Sequence, residues 1–214
     1  MKADSSVSEG DLRRRFAQRL ALQQSPAGPP RRGDHDLNPK WRDADADARV
    51  LKPAAVLIPI IERRDAALSV LFTRRADHLA RHAGQVSFPG GRVDEGDADD
   101  VAAALRETEE EVGLSRAFVD VRGSLDRYET GTGFVIQPFV GLVREGFELK
   151  IDKAEVAEAF EVPLSFLMDT KNHEPRTATW QGRERRFYGM TYDGHYIWGA
   201  TAGILINLHQ RLYG

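Results

Sequence analysis

Residues 105–113 read LRETEEEVG and place Glu107, Glu109, Glu110 and Glu111 within five consecutive positions. Around them Val101, Ala104, Leu105, Thr108 and Val112 recur at i, i+3, i+4, i+7 and i+11. That spacing predicts a helix over 100–112 with one core-facing stripe. Gly113 stands where a helix-ending glycine belongs. Asp97, Asp99 and Asp100 crowd the start, where negative charge suits the helix dipole. On this wheel Glu107, Glu110 and Glu111 share a second face, and Glu109 turns to solvent.

Three acids on one ridge of the last turn work against stability. Like charges at i,i+3 or i,i+4 cost roughly 0.2–0.5 kcal/mol per pair. Carboxylates near a helix C-terminus oppose the dipole by about 0.3–1 kcal/mol each when exposed. Arg106 offsets only part of this. Two readings stand on the helix alone: a solvated acidic face, or three oxygen ligands for a hard divalent cation such as Mg²⁺ or Mn²⁺.

Outward from the helix, AAVLIPIIE (54–62) and ALSVLFTRR (67–75) read as two strands joined in a hairpin. VDVRGSLDRY (119–128) and FVIQPFVGLV (134–143) are further strand candidates. A second helix is expected over Lys153–Phe160, leading into VPLSFL. Two short strands are expected within 179–198 around an Asp193-Gly194 turn, and ATAGILINLHQRLYG closes as an apolar-faced helix. Strands alternating with helices, partly antiparallel, predict an α/β fold with a mixed sheet between helices. Residues 11–22 carry Leu12, Phe16, Leu20 and Leu22 near helical spacing, and the Pro-, Gly- and charge-rich stretch after them reads as a linker. The expected division is an N-terminal helix and arm over 1–50 and a compact domain over 51–214.

The composition narrows the classes. Of the 214 residues 41% are hydrophobic and 29% charged, as in a soluble globular protein with a core. A net charge of −3 gives no global pull toward nucleic acid or anionic membranes. No apolar run approaches the roughly 18–20 residues of a membrane span, and MKADSSVSEGDLRRRF lacks a signal-peptide core. With no cysteine there is no disulfide, thiolate ligand or cysteine nucleophile. A cytoplasmic address is expected.

Upstream of the acidic helix, Phe88-Pro89-Gly90-Gly91 looks like a strand ending in a turn where backbone approaches something closely. The two segments together resemble the signature of the Nudix hydrolases: Gly, five residues, Glu, seven residues, then Arg-Glu-apolar-x-Glu-Glu-x-Gly-apolar. Arg106 to Leu114 fit the second half, with Thr108 at the first apolar place. The first half departs: Gly91 lies one residue farther from Arg106, and Asp97 stands where the first Glu falls. LFTRRADHLARHAGQVSFPGG (71–91) further resembles the extra signature of the coenzyme A pyrophosphatase branch. Leu71, Thr73, Arg75, Ala76, Gly84, Phe88, Pro89, Gly90 and Gly91 fit, while Ala80 replaces a second arginine and Arg81 stands beside it. EVAEAFEVPLSFL (155–167) and IWGATAGIL (197–205) look like the same branch.

The resemblance implies an α/β/α sandwich and hydrolysis, dependent on Mg²⁺ or Mn²⁺, of a diphosphate joined to another group. In that branch coenzyme A gives 3′,5′-ADP and 4′-phosphopantetheine. Glu107, Glu110 and Glu111 become the metal ligands and catalytic acids, and Arg106 orients a glutamate. Arg75, Arg81, Gly84, Phe88, Gly90 and Gly91 become the substrate side of the site. The general base is one of these glutamates or one from another segment, with Glu155 and Glu158 as candidates against a plain role as exposed helix residues. Other substrates of the same chemistry are ADP-ribose, dinucleoside polyphosphates and nucleoside triphosphates, and a non-catalytic ligand sensor is the alternative outside enzymes. The expected partner is a small molecule, with no nucleic acid or membrane, and a homodimer is compatible. His78 and His82 have helical i,i+4 spacing but no third zinc ligand. Gly131-Thr132-Gly133 reads as a hairpin loop beside the substrate. Arg176, Arg183, Arg185 and Arg186 read as a solvated hairpin edge or as a patch for an extra phosphate or RNA.

Overall fold

The computed structural model describes residues 9–19, 32–39, 50–180 and 182–214. Its main sheet is built on two long central strands, β2 (Lys52–Glu62) and β8 (Phe134–Arg144), paired in parallel from Lys52↔Phe134 to Glu62↔Arg144. Both strands read as apolar runs because both of their faces are covered. β3 (Ser69–Arg75) pairs antiparallel with β2 through Ile60↔Val70, as the hairpin reading requires. The glycine loop supplies β4 (Val86–Ser87) and β5 (Gly90–Arg92), on β3 and β2 respectively. β6 (Val119–Ser124) and β7 (Tyr128–Glu129) line β8.

Helix α2 spans Asp100–Val112, the range its periodicity predicts. Asp99 caps it, its side chain accepting from the Ala102 N–H at 2.7 Å. Gly113 ends it in the left-handed region (φ 71°). Alternation along β2 divides the core. Leu57 packs with Ala103 and Ala104 of α2 on one face. Ile58 and Ile60 pack on the other face with Leu205, Leu208 and Leu212 of α4 (Gly199–Tyr213). The result is a mixed sheet between helices.

The helix expected over Lys153–Phe160 is a strand instead. β9 (Val156–Pro163) pairs antiparallel with β3 from Arg75↔Val156 to Ser69↔Pro163, and only Leu164–Met168 (α3) is helical. The Ala and Glu content favours helix locally, but Val156 and Val162 gain burial as rungs of the sheet. A second, antiparallel sheet joins β10 (Glu174–Trp180), β11 (Arg183–Tyr192) and β12 (His195–Trp198). Asp193 and Gly194 take φ of 45° and 79°, the left-handed pair that a two-residue hairpin turn demands.

Helix α1 covers Glu9–Arg19; its expected continuation through 20–22 and most of the expected linker lie outside the described residues. Leu12 and Phe16 join the α4 core, and Arg15 and Arg19 donate to the carbonyls of Leu212 (3.0 Å) and Gly214 (2.6 Å). Farther on, Arg32–Gly33 (β1) pairs with β7. Asp34 accepts from Tyr128 Oη (3.0 Å), Gly131 N (3.0 Å) and Arg185 Nη2 (2.8 Å).

Candidate active site

The glycine loop and α2 meet at two close contacts. Gly91 lies against Glu107, so near that a Cβ at Gly91 would stand 2.4 Å from Glu107 Oε2. Gly90, at φ 144°, donates its N–H to Glu111 Oε2 at 3.2 Å. A Cβ there would strike the Ala55 carbonyl and the Val56 backbone. Both positions therefore need glycine, for different reasons: one spares a carboxylate, the other spares the neighbouring strand.

The glutamates are sorted by environment. Glu111 is 4% exposed, and burial pushes its carboxyl up to about 8; the Gly90 N–H and Arg75 oppose this, while Glu155 and Glu107 add to it. Glu107 is also raised, chiefly by burial, against the pull of Arg106 and with Glu110 and Glu155 pushing upward. Glu110 lies on the rim, its side chain 59% exposed and held by Arg106 at 3.0 Å. Glu109 points away from Glu107 and Glu111 and is half-exposed beside Arg116 (3.5 Å), less exposed than Glu110. Sequence reasoning placed three acids on one surface ridge; the structure buries Glu111, half-buries Glu107 and leaves Glu110 outside.

Arg106 organises this rim. It grips Asp97 with both Nε (2.9 Å) and Nη2 (3.0 Å), and its Nη1 reaches Glu107 and Glu110, each at 3.0 Å. The guanidinium holds the Asp97 carboxyl at about 2, and Asp97 also accepts from Asp94 N at 2.9 Å. Asp97 is thus an anchor for Arg106, with both its oxygens engaged.

From the 71–91 segment, Arg75 ends β3 with Nη1 4.0 Å from Glu111 Oε1. Its Nε is buried with no hydrogen-bond partner. Arg81 is exposed. Gly84 turns the loop at φ 69° and donates its N–H to the Arg75 carbonyl at 3.1 Å. Phe88 is a core residue, 3% exposed and stacked on Phe72 at 5.0 Å.

Glu155, paired with Glu158 in the sequence reading, separates from it here. Glu155 sits in the turn before β9, within electrostatic reach of Glu107 and Glu111. Glu158 faces the other side of the sheet, near Arg74 (3.5 Å) and His195 (3.3 Å). The two separate because Glu158 lies within β9 while Glu155 lies in the turn that precedes it. His78 and His82 are engaged separately, with the Ala154 carbonyl (3.1 Å) and Gln85 Oε1 (2.9 Å). Of the four hairpin arginines, Arg176 meets Glu174, Arg185 meets Asp34 and Arg186 meets Glu184. The side chain of Arg183 lies outside the described residues.

As they stand, no three acids or histidines among the described residues form a ready-made cation cage. The donors nevertheless suit a hard cation. Two desolvated carboxylates repel each other and a third, and a divalent ion would relieve all three.

A mixed sheet between helices, with a carboxylate helix pressed to a double-glycine loop, defines the class. The protein belongs to the Nudix family: residues 51–181 match the NUDIX domain. It is a hydrolase acting on pyrophosphate bonds of nucleoside diphosphate derivatives. It is 40% identical over 161 residues to proteins described as uncharacterized Nudix hydrolase NudL, from Enterobacter sp. (strain 638) and Escherichia coli K12. In each case the match spans 75% of this chain and 83% of the relative. Among solved structures, the Ap4A hydrolase of C. elegans in a binary complex is similar at a TM-score of 0.45 and 18% identity, over 52% of this chain and 80% of that one.

Proposed function

We propose that this Nudix hydrolase cleaves the diphosphate of coenzyme A and its derivatives, giving 3′,5′-ADP and 4′-phosphopantetheine. One observation supports this most. Arg75, from the segment that resembles the coenzyme A branch, lies beside Glu111 of the acidic helix with a buried, unbonded Nε. A buried guanidinium N–H without a partner favours an anionic ligand, and a diphosphate supplies the oxygens.

Mg²⁺ or Mn²⁺ would be held by Glu107, Glu110 and Glu111. Bound there, it would neutralise phosphate charge and make water a better nucleophile. Each remaining step belongs to the protein's own residues. Gly90 N–H orients Glu111, Arg106 orients Glu107 and holds Glu110 at the rim, and Arg75 docks the diphosphate beside Glu111. Glu155 takes the proton of the attacking water. Gly84 shapes the substrate loop, and Arg81 gives it a further cation. Gly91 leaves room for Glu107, and Phe88 packs beneath the loop. Retention of Glu107 and Glu111 in desolvated positions favours turnover over a ligand sensor.

The test is mass spectrometry of products from purified protein, Mg²⁺ and a mixed panel of coenzyme A, ADP-ribose, dinucleoside polyphosphates and nucleoside triphosphates. 3′,5′-ADP and 4′-phosphopantetheine should dominate. A panel in which ADP-ribose or a triphosphate is consumed first rejects coenzyme A while leaving a diphosphatase, and no turnover rejects the enzyme reading.

A further inference from the structure

Glu155 is carried by a short turn, and the way that turn is held leads to a residue with no role so far. On one side it hangs from the end of α2: Lys150 N donates to Val112 O (2.8 Å) and Asp152 N to Glu111 O (2.9 Å). Inside it, Asp152 Oδ1 accepts from Ala154 N (2.9 Å) and Asp152 O from Val156 N (2.9 Å). On the other side two bonds come from the segment after β3. Ala76 N donates to the Glu155 carbonyl (2.8 Å), and the His78 ring approaches the Ala154 carbonyl at 3.1 Å through Nε2.

A carbonyl oxygen only accepts, so His78 Nε2 must carry the proton in this contact. We infer that His78 is a positioning residue for Glu155: by pinning the Ala154 carbonyl it fixes where the Glu155 carboxylate stands relative to Glu107 and Glu111. Every other tether named above is made by the backbone or within the turn. The His78 bond reaches it by a side chain from another segment, so substitution can remove it. Residues 71–91 thereby serve the site twice, through Arg75 on the substrate side and through His78 on the carboxylate side.

This inference rests on the role given to Glu155 under the proposed function. Glutamine extends an amide N–H to about where His Nε2 lies, whereas phenylalanine keeps the ring and loses the donor. The experiment compares wild type, His78→Phe, His78→Gln, Glu155→Gln and the double variant His78→Phe/Glu155→Gln. Each is assayed with Mg²⁺ and coenzyme A, or with ADP-ribose should wild type turn over only that. His78→Phe should lower kcat about three- to tenfold, the range expected for one lost hydrogen bond, with KM little changed. His78→Gln should recover most of the rate. The double variant should be no slower than Glu155→Gln, because both changes act through one carboxylate.

Two results overturn the inference alone: His78→Phe at the wild-type rate while Glu155→Gln is slow, or independent losses that multiply in the double variant. If Glu155→Gln retains full activity, the role of Glu155 falls, and that of His78 with it. Should His78→Phe fail to fold, His78→Ala against His78→Gln makes the same comparison.

Discussion

The α-carbon of Gly91 lies against the carboxylate of Glu107, close enough that an added methyl would stand 2.5 Å from Cδ. The obstructed atoms belong to the far end of a flexible side chain, so folding tolerates the methyl and the carboxylate moves. Gly91→Ala should cost less than about 1 kcal/mol in stability but at least about tenfold in kcat, because small misplacements at a reacting centre are expensive. Gly90→Ala is the contrasting case. Its φ of 144° and its contact with the Ala55 carbonyl leave no flexible atom to yield, so about 1–3 kcal/mol of strain falls on folding itself. Melting curves and steady-state kinetics on both variants check the contrast.

The acids of α2 should separate in the same assays. Glu107→Gln and Glu111→Gln should each lower kcat by at least about 10²-fold, as for loss of a positioned metal ligand or base. Glu109→Gln, on the solvent side, should be nearly silent. Glu110→Gln should fall between them, since Glu110 shares Arg106 with Glu107. Equal losses at Glu109 and Glu111 contradict this sorting.

Arg75 should read out in specificity. Arg75→Ala should chiefly raise KM for coenzyme A, and Arg75→Lys should recover only part of the loss, because a lysine restores charge without the planar fork. Coenzyme A should show a higher kcat/KM than ADP-ribose with the wild-type protein. A uniform loss across all substrates would assign Arg75 to the chemical step instead.

In chelator, Glu111 should make stability depend on pH. Its folded carboxyl is raised from 4.5 to about 8 by burial, so the native state holds a proton that the unfolded chain has released. The stabilising contribution is complete below the unfolded value and is lost as pH rises through about 8. Glu111→Gln should flatten that slope. With millimolar Mg²⁺ wild type should gain RT ln(1 + [L]/Kd) and the variant less. Denaturant titrations from pH 4 to 9 with and without Mg²⁺ measure both effects; equal Mg²⁺ stabilisation of the two proteins would remove Glu111 from the ligand set.

Helix α1 should matter to the domain. Leu12 is fully buried in the α4 core, so Leu12→Ala should cost about 2–5 kcal/mol, as core truncations do. A chain beginning at Leu51 should melt well below the full-length protein by calorimetry. An unchanged melting temperature in that chain would show that residues 1–50 are a detachable arm.

What the sequence made legible was what local chemistry determines. Helix α2 carries its own cap, stripe and terminating glycine within a few residues, and β2, β3 and β8 announce themselves as apolar runs. The misreading at 153–160 came from a segment whose Ala and Glu favour a helix in isolation, while pairing with β3 decides otherwise. β10 went unseen because Glu174 to Thr179 are all exposed and show no apolar alternation. At the site, the wheel set Glu109 apart from Glu107 and Glu111. It carried no information on the burial of Glu111, which depends on Gly90, or on the rim position of Glu110, which depends on Arg106. Glu155 approaches α2 only through the folded turn, so nothing near either segment marks the two as neighbours.

The seat of α1 on α4 has a consequence for biosynthesis. Arg15 and Arg19 bind the carbonyls of Leu212 and Gly214, so a helix made early by the ribosome must wait for one made late. Until α4 emerges, Leu12 and Phe16 have no completed surface to cover, and the faces of β2 and β3 that await α4 stay exposed. Contacts this distant along the chain slow folding, and exposed apolar strands invite aggregation meanwhile. The nascent protein should therefore rely on chaperones until α4 clears the exit tunnel, and should become protease-resistant only afterwards.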